Sequence, residues 1–133
     1  MAANKKPRKP HRPFIPSIPM MREARDAMAM SLHAAIETLI CAPDIEAYNN
    51  VSTKLITFGY AVGIQECLEG AKKAMTSIAD RHTRVGKIGV GKIEAAALRA
   101  ASGAMDRMLA KIPVNKMLAA ELKTQMFVER VGV

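Results

Sequence analysis

The segment GKIGVGKIE has the glycine and lysine spacing of a phosphate-binding loop. Gly86, Gly91 and Lys92 match the pattern G-x-x-x-x-G-K, in which backbone N–H groups and a lysine hold nucleotide phosphates. Such a loop also needs an apolar strand before it and a Ser or Thr after the lysine to bind magnesium. Here Ile93 takes the hydroxyl position, and the preceding ADRHTRV is polar and helix-forming. We therefore expect a linker between two helices, with glycine ending the first, rather than a nucleotide hydrolase.

Four basic residues in and around this linker are still candidates for phosphate contacts. A glycine-rich turn in front of a helix presents unsatisfied N–H groups, and these attract anions. The candidates are Arg81, Arg84, Lys87 and Lys92. Their pattern predicts a weak contact driven by charge, not a catalytic site.

No pattern of metal ligands or catalytic groups emerges elsewhere. His33 and Glu37 are one helical turn apart, which suits two metal ligands or a surface ion pair. No third ligand follows at matching spacing, so we expect the ion pair. Neither Cys41 nor Cys67 has a histidine nearby, and no G-x-S-x-G motif occurs. The sequence predicts a non-enzymatic protein with no catalytic residues, no metal site and no cofactor.

Residues 1–19 combine regularly spaced proline with positive charge. Proline recurs at every third position from Pro7 to Pro19, matching the three-residue turn of polyproline II, so we expect an extended, semi-rigid arm. The chain has a net charge of +8, and no acidic residue precedes Glu23. The basic residues of the arm, all candidates for phosphate contacts, are Lys5, Lys6, Arg8, Lys9 and Arg12.

The arm admits three interpretations. Extended segments rich in Arg, Lys and Pro follow the minor groove of A·T-rich DNA or lie along RNA phosphates. The proline spacing also suits an aromatic-lined groove on a protein partner, and a solvated tail that aids solubility is the third possibility. The apolar residues Phe14, Ile15 and Ile18 are expected to lie on the body as an anchor, so that the charged half projects from it.

Residues 20–133 have the composition of an all-helical domain. Good helix formers dominate, with ten Met, no Trp and only 4% aromatic residues. Apolar residues at three- and four-residue spacing predict helices over about 20–41, 43–82, 92–111 and 113–131. Because the links between them are short, we expect an antiparallel bundle of about four helices.

Part-way along the predicted second helix, the apolar residues shift to a different helical register. Gly59 and Gly63 lie at the slip, so we expect either a kink or two helices separated by a break near Gly70. Pro43 is predicted at the first helical position. The methionines are expected either in the core or in the lining of an adaptable groove. The stretches of small residues suit either internal packing or a homodimer interface.

The cysteines and the hydropathy of the sequence indicate in which compartment the protein is expected. The two cysteines lie in apolar helical contexts without a C-x-x-C motif, which predicts reduced core thiols in a cytoplasmic protein. No apolar run approaches the roughly 20 residues that cross a bilayer. Prolines follow the basic residues at the start of the sequence, where a secretory signal has an apolar segment. We expect no membrane association.

These features predict a small helical nucleic-acid-binding or nucleoprotein-associated protein whose basic arm contacts phosphates. The partner is expected to be DNA or RNA, or else an acidic protein surface, with a possible homodimer of the body. The alternative is a protein-binding adaptor or inhibitor that docks on a larger host complex, with a phage or mobile element as a candidate source. A structural assembly component is the third candidate.

Overall fold

The computed structural model describes residues 18–63 and 65–131, and these residues form five α-helices. The helices are α1 (Arg22–Cys41), α2 (Ile45–Val62), α3 (Glu66–Val85), α4 (Lys92–Leu109) and α5 (Val114–Val131). The predicted all-helical class is confirmed for the described residues. The predicted arm lies outside them except for Ile18 and Pro19.

The helices pack as two neighbouring pairs joined by α1. Helix α3 lies against α4, α2 lies against α5, and α1 contacts both α2 and α4. Each helix turns one apolar stripe inward, as the three- and four-residue spacing predicted. The most deeply buried side chains are Leu32, Ile36, Leu39, Val51, Ile78, Leu98, Met105 and Leu109. One core therefore receives side chains from α1 to α4 and is closed by Met117 and Ala120 of α5.

The predicted second helix is two helices, which is why the described residues form five helices rather than about four. The break is at Gly63, whose φ of 75° and ψ of −159° belong to a region essentially restricted to glycine. The N–H of Gly63 donates to the Gly59 carbonyl over 2.9 Å and ends α2. The prediction of a break near Gly70 is wrong, because Gly70 lies inside α3.

Helix α2 begins two residues later than its proline suggested. Asp44 is the N-cap, and its carboxylate accepts a 2.7 Å hydrogen bond from the Ala47 N–H. This contact satisfies one of the unpaired donors in the first turn. Pro43 therefore precedes the cap, and its prediction as the first helical residue is wrong.

The linker between α3 and α4 is the glycine-ended turn that the sequence predicted. Gly86 has a left-handed φ of 81°, and its N–H donates to the His82 carbonyl over 2.7 Å. Helix α3 runs up to this glycine, where a nucleotide-binding loop has a strand. The GKIGVGKIE segment is thus a helix–helix connection.

The first described residues are fixed against the start of α5. The Val114 N–H donates to the Ile18 carbonyl over 2.7 Å, and Pro19 and Pro113 form an isolated antiparallel β-bridge. Met20 follows and is only 5% exposed. The chain is therefore anchored to the body before α1 begins.

The cysteines and methionines divide between core and surface. Cys41 is exposed and Cys67 is half-buried, and both are free. The prediction of a core thiol is wrong for Cys41, which lies two residues, or about 200°, around α1 from Leu39. Among the methionines, Met20, Met75, Met105 and Met117 are buried, whereas Met21, Met30 and Met126 are exposed. Within the described residues, every helix is too short or too polar to span a bilayer.

Candidate nucleic-acid interface

Exposed basic side chains occur on α3, on the linker after it and in the first turn of α4. Here we call them the basic surface: Lys72, Lys73, Arg84, Lys87 and Lys92. Two of the three acids of α3 lie in its first turn, the third being Asp80, and a histidine and an arginine occupy its last turn, where the helix dipole favours a cation. Positive charge therefore accumulates where α3 meets α4.

Two adjoining hollows shape this surface. One of about 560 Å³ lies between α3 and the start of α4, and its lining includes Lys73, Ser77 and Lys92. The other, of about 470 Å³, is lined by Lys72, Lys73 and Arg84 together with the acids Glu69 and Asp80. Lys73 belongs to both hollows, so the basic groups of α3 and α4 border one continuous region.

Among the described members of the predicted set, Arg81 already has a partner. Its guanidinium donates to both carboxylate oxygens of Glu94, over 2.9 Å from Nη1 and 2.7 Å from Nη2. Nη1 also donates to the Gly89 carbonyl over 2.8 Å. The two-pronged geometry fixes the plane of the guanidinium and joins α3 to α4 across the linker.

Glu94 occupies the position at the start of α4 that an external anion would take. It is 6% exposed, and Oε1 accepts the Gly91 N–H over 2.8 Å. The hydrogen bond from Arg81 lowers the pKa of Glu94 to about 2, against the opposing effect of burial and with smaller help from Ser77 and Gly91. The positive end of the α4 dipole thus stabilises an internal carboxylate.

The structure separates the predicted phosphate contacts into three groups. Arg84, Lys87 and Lys92 are exposed, and no hydrogen bond or ion pair engages their side chains within the described part of the chain. The guanidinium of Arg81 already donates hydrogen bonds to Glu94. Its contact with a phosphate stays a prediction. The predicted contacts Lys5, Lys6, Arg8, Lys9 and Arg12 lie outside the described residues.

Lys72 and Lys73 are not among the contacts predicted from the sequence. Both lie on the exposed side of α3, three turns before Arg84, and both line the hollows of the basic surface. The available signal was the polar face of α3, where positions 73, 76, 77, 80 and 84 recur at helical spacing. Only the packing of α3 on α4 brings that face beside Lys92.

A serine, a histidine and an aspartate meet between α1 and α4. His33 Nδ1 is hydrogen-bonded to the Ser102 hydroxyl, and His33 Nε2 lies 3.4 Å from Asp106 Oδ2. The predicted ion pair of His33 with Glu37 is wrong. Glu37 instead accepts two hydrogen bonds from Arg99, over 2.8 and 3.0 Å, because the packing of α4 supplies a better donor.

This trio lacks the geometry of a hydrolytic triad. Ser102 is only 2% exposed and lies within α4, so a substrate cannot reach its hydroxyl. The backbone N–H groups around it belong to the interior of a helix, and they cannot form an oxyanion hole. The contact of Nε2 with Asp106 joins two half-exposed groups at a long distance. The three residues link α1 to α4.

A metal centre is also missing from the described part of the chain. No three side chains among its His, Cys, Asp and Glu residues converge as a metal site requires.

Comparison with known protein families, curated proteins and solved structures finds no match to this chain. Any function has to be argued from its own residues.

Proposed function

We propose that this protein is a small, non-enzymatic nucleic-acid-binding protein that contacts phosphates through its basic arm and its basic surface. The observation that supports the proposal is a set of exposed cations, Arg84, Lys87 and Lys92 together with Lys72 and Lys73, of which the first three have no ion-pair partner among the described residues. With a net charge of +8, the chain also carries a long-range attraction for polyanions.

The chemistry of these groups suits binding to the backbone rather than recognition of bases. Lysine and arginine neutralise phosphates and release counterions, whereas base readout needs a helix or strand placed in a groove or exposed stacking aromatics. Aromatic residues make up only 4% of the chain. Binding is therefore expected to depend strongly on salt and weakly on sequence.

Deletion of residues 1–13 tests the proposal. Labelled double-stranded DNA and single-stranded RNA are titrated with the full chain and with the deletion variant at two salt concentrations. The deletion removes five cations, so it is expected to weaken binding and to reduce the slope of log K against log salt by up to about 4.5 on the double-stranded DNA and about 3.5 on the single-stranded RNA. Equal affinity and slope for both proteins would refute the role of the arm.

A matched control distinguishes binding through the basic surface from binding that depends only on the net charge of the protein. Lys111 and Lys116 are exposed and lie outside the basic surface. Replacing both with Ala is expected to change affinity less than replacing Lys87 and Lys92, although each pair removes two charges. Equal losses in the two double variants would show that the basic surface has no special role.

A protein-binding adaptor or inhibitor is the second candidate, and an apolar groove between α2 and α3 favours it. The groove has a volume of about 440 Å³, and its lining includes Tyr48, Leu55, Ile56, Leu68 and Met75. A partner retained after nuclease treatment and released by Ile56→Glu supports the adaptor. Loss of the partner on nuclease treatment supports the nucleic-acid-binding function.

A further inference from the structure

The hollow between α3 and the start of α4 is lined by small apolar residues beneath its cations. It has a volume of about 560 Å³, and Gly70 and Ala74 of α3 and Ala97 of α4 border it. Ala74 is only 5% exposed, and a Cβ added at Gly70 would meet no atom within 4 Å. The hollow is therefore open because the residues that α3 and α4 direct towards it are too small to fill it.

Ile93 adds an exposed apolar side chain to the same hollow. It lines the hollow and is 87% exposed, more than any other large apolar residue in the described part of the chain. It lies in the first turn of α4 and does not contribute to the core. A ligand that covers Ile93 and fills the space over Gly70 removes apolar surface from water, which favours its binding.

The charges around the hollow are mainly positive. Lys73 of α3 and Lys92 of α4 line it from its two walls, and both are exposed. Arg81 and Glu94 line it as well, but each neutralises the other through their two hydrogen bonds. The two lysines therefore leave the lining with a net charge of +2, and the ligand that complements it is an anion with an apolar part.

We infer that this hollow receives an unpaired nucleotide of a single-stranded nucleic acid, with the base over Gly70 and Ile93 and the phosphates near Lys73 and Lys92. The inference rests on the proposed nucleic-acid-binding function and specifies the form of the nucleic acid. A nucleotide joins a flat base with apolar faces to anionic phosphates, and the lining complements both. A single strand presents its bases freely, whereas a duplex has to be unpaired and unstacked first.

The surroundings of the hollow favour a strand over a free nucleotide. Lys73 also lines the neighbouring hollow, where Lys72 and Arg84 accompany it and the three cations outnumber the acids Glu69 and Asp80. Positive charge thus continues beyond the space that one nucleotide fills, as repeated phosphates require. A volume of about 560 Å³ lies within the range of about 300–1,000 Å³ typical of small-molecule sites, so it suits one base rather than a protein helix.

An abasic strand provides the test, because it retains the phosphates and sugars of a nucleic acid and lacks the bases. Labelled oligothymidylate and an abasic strand of the same length are titrated with the full chain at one salt concentration, and binding is followed by fluorescence anisotropy. Oligothymidylate is expected to bind about fivefold more tightly, which is the lower limit for one base stacked on a protein side chain.

Gly70→Leu fills the hollow without changing the charge. It is expected to lower the affinity for oligothymidylate to that for the abasic strand, and to leave the affinity for the abasic strand unchanged. The matched control is Gly103→Leu, the same substitution at a half-buried glycine of α4 that does not line the hollow. It is expected to change neither affinity. Circular dichroism checks that both variants are folded.

A second variant keeps the test decisive if Gly70→Leu disturbs the packing of α3. Ile93→Asn replaces an apolar contact of the base at a residue that is 87% exposed, so the fold is expected to remain intact. It should reduce the preference for oligothymidylate over the abasic strand. A preference that survives in both folded variants places the base elsewhere and overturns the inference.

The titrations separate failure of this inference from failure of the proposed function. Equal affinity of the full chain for oligothymidylate and the abasic strand overturns the inference and leaves the binding of phosphates in place. Absence of binding to both strands and to duplex DNA overturns the proposed function as well. Displacement of oligothymidylate by thymidine monophosphate at equal nucleotide concentration shows that the hollow takes a free nucleotide, which overturns the assignment to a strand.

Discussion

Arg81 near the end of α3 and Glu94 in the first turn of α4 form a two-pronged ion pair that spans the glycine-rich linker. Glu94 also accepts the Gly91 N–H, so one carboxylate holds the linker, the start of α4 and the end of α3 together. Lys73 and Lys92 of the basic surface line the same hollow as this ion pair. The pair therefore sets the relative position of the cations that we propose to bind phosphate.

Removal of the Glu94 carboxylate is expected to destabilise the fold. Glu94→Ala leaves the Gly91 N–H without its acceptor and the Arg81 guanidinium with only the Gly89 carbonyl, and the expected loss of unfolding free energy is about 2 kcal/mol. Glu94→Gln retains one acceptor for the Gly91 N–H and should lose less. Urea denaturation followed by circular dichroism measures both, with the exposed Glu121→Ala as the control. Equal stability of Glu94→Ala and Glu121→Ala would contradict this role.

The same ion pair gives stability a defined dependence on pH. The pKa of Glu94 falls from 4.5 to about 2 on folding, so the folded protein holds this carboxylate ionised more readily than the unfolded chain does. Its contribution to stability is complete above about pH 4.5 and is lost as the pH falls towards 2. The stability difference between the wild type and Glu94→Gln is therefore expected to shrink between neutral pH and about pH 3. A difference that is constant with pH would mean that the pKa is not lowered.

Gly63 and Gly70 are expected to respond in opposite directions to substitution by alanine. Gly63 has a φ of 75°, so Gly63→Ala strains the backbone and is expected to cost about 1–2 kcal/mol. Gly70 lies within α3 and no atom approaches its missing Cβ within 4 Å, so Gly70→Ala is expected to stabilise by about 0.5–1 kcal/mol. Thermal and urea unfolding measure both. A destabilising Gly70→Ala would show that the break between α2 and α3 extends to Gly70.

The hydrogen bond between Ser102 and His33 is expected to couple α1 to α4. Ser102→Ala removes a buried hydroxyl and should lower the free energy of unfolding by about 1 kcal/mol. A double-mutant cycle with His33→Ala measures the interaction energy between the two side chains, for which about 0.5–1 kcal/mol is expected. Strictly additive losses would mean that the two side chains do not support each other in solution.

The sequence was sufficient to predict most of the secondary structure and little of the side-chain pairing. Apolar spacing and the prolines place α1, α4 and α5 within a few residues of their observed ends, because these signals are local. The break at Gly63 was shifted by seven residues, since a register slip shows that a helix is interrupted but not where the backbone turns. The ion pair of Arg81 with Glu94 depends on the packing of α3 against α4. The spacing of apolar residues along the sequence does not predict which helices pack together.

One half of the Glu94 contact was nevertheless present in the sequence. Glu94 follows Gly91 by three residues, which is the spacing of a carboxylate that caps its own helix. The contact of His33 with Ser102 had no such signal, because 69 residues separate them. A pairing of that kind becomes visible only when α1 and α4 are known to be neighbours.

Substitutions in the basic surface are expected to change nucleic-acid binding, whereas substitution of Arg81 is expected to change the stability of the fold. Arg84→Ala, Lys87→Ala and Lys92→Ala each remove an exposed cation that has no partner among the described residues, so each should lower the slope of log K against log salt by up to about 0.9 without loss of stability. Arg81→Ala should lower stability and leave the slope unchanged, because its guanidinium is already neutralised by Glu94. Nucleic-acid titrations at several salt concentrations, paired with urea denaturation, separate the two effects. If Arg81→Ala lowers the slope as much as Lys92→Ala does, the ion pair opens on binding and Arg81 joins the phosphate contacts.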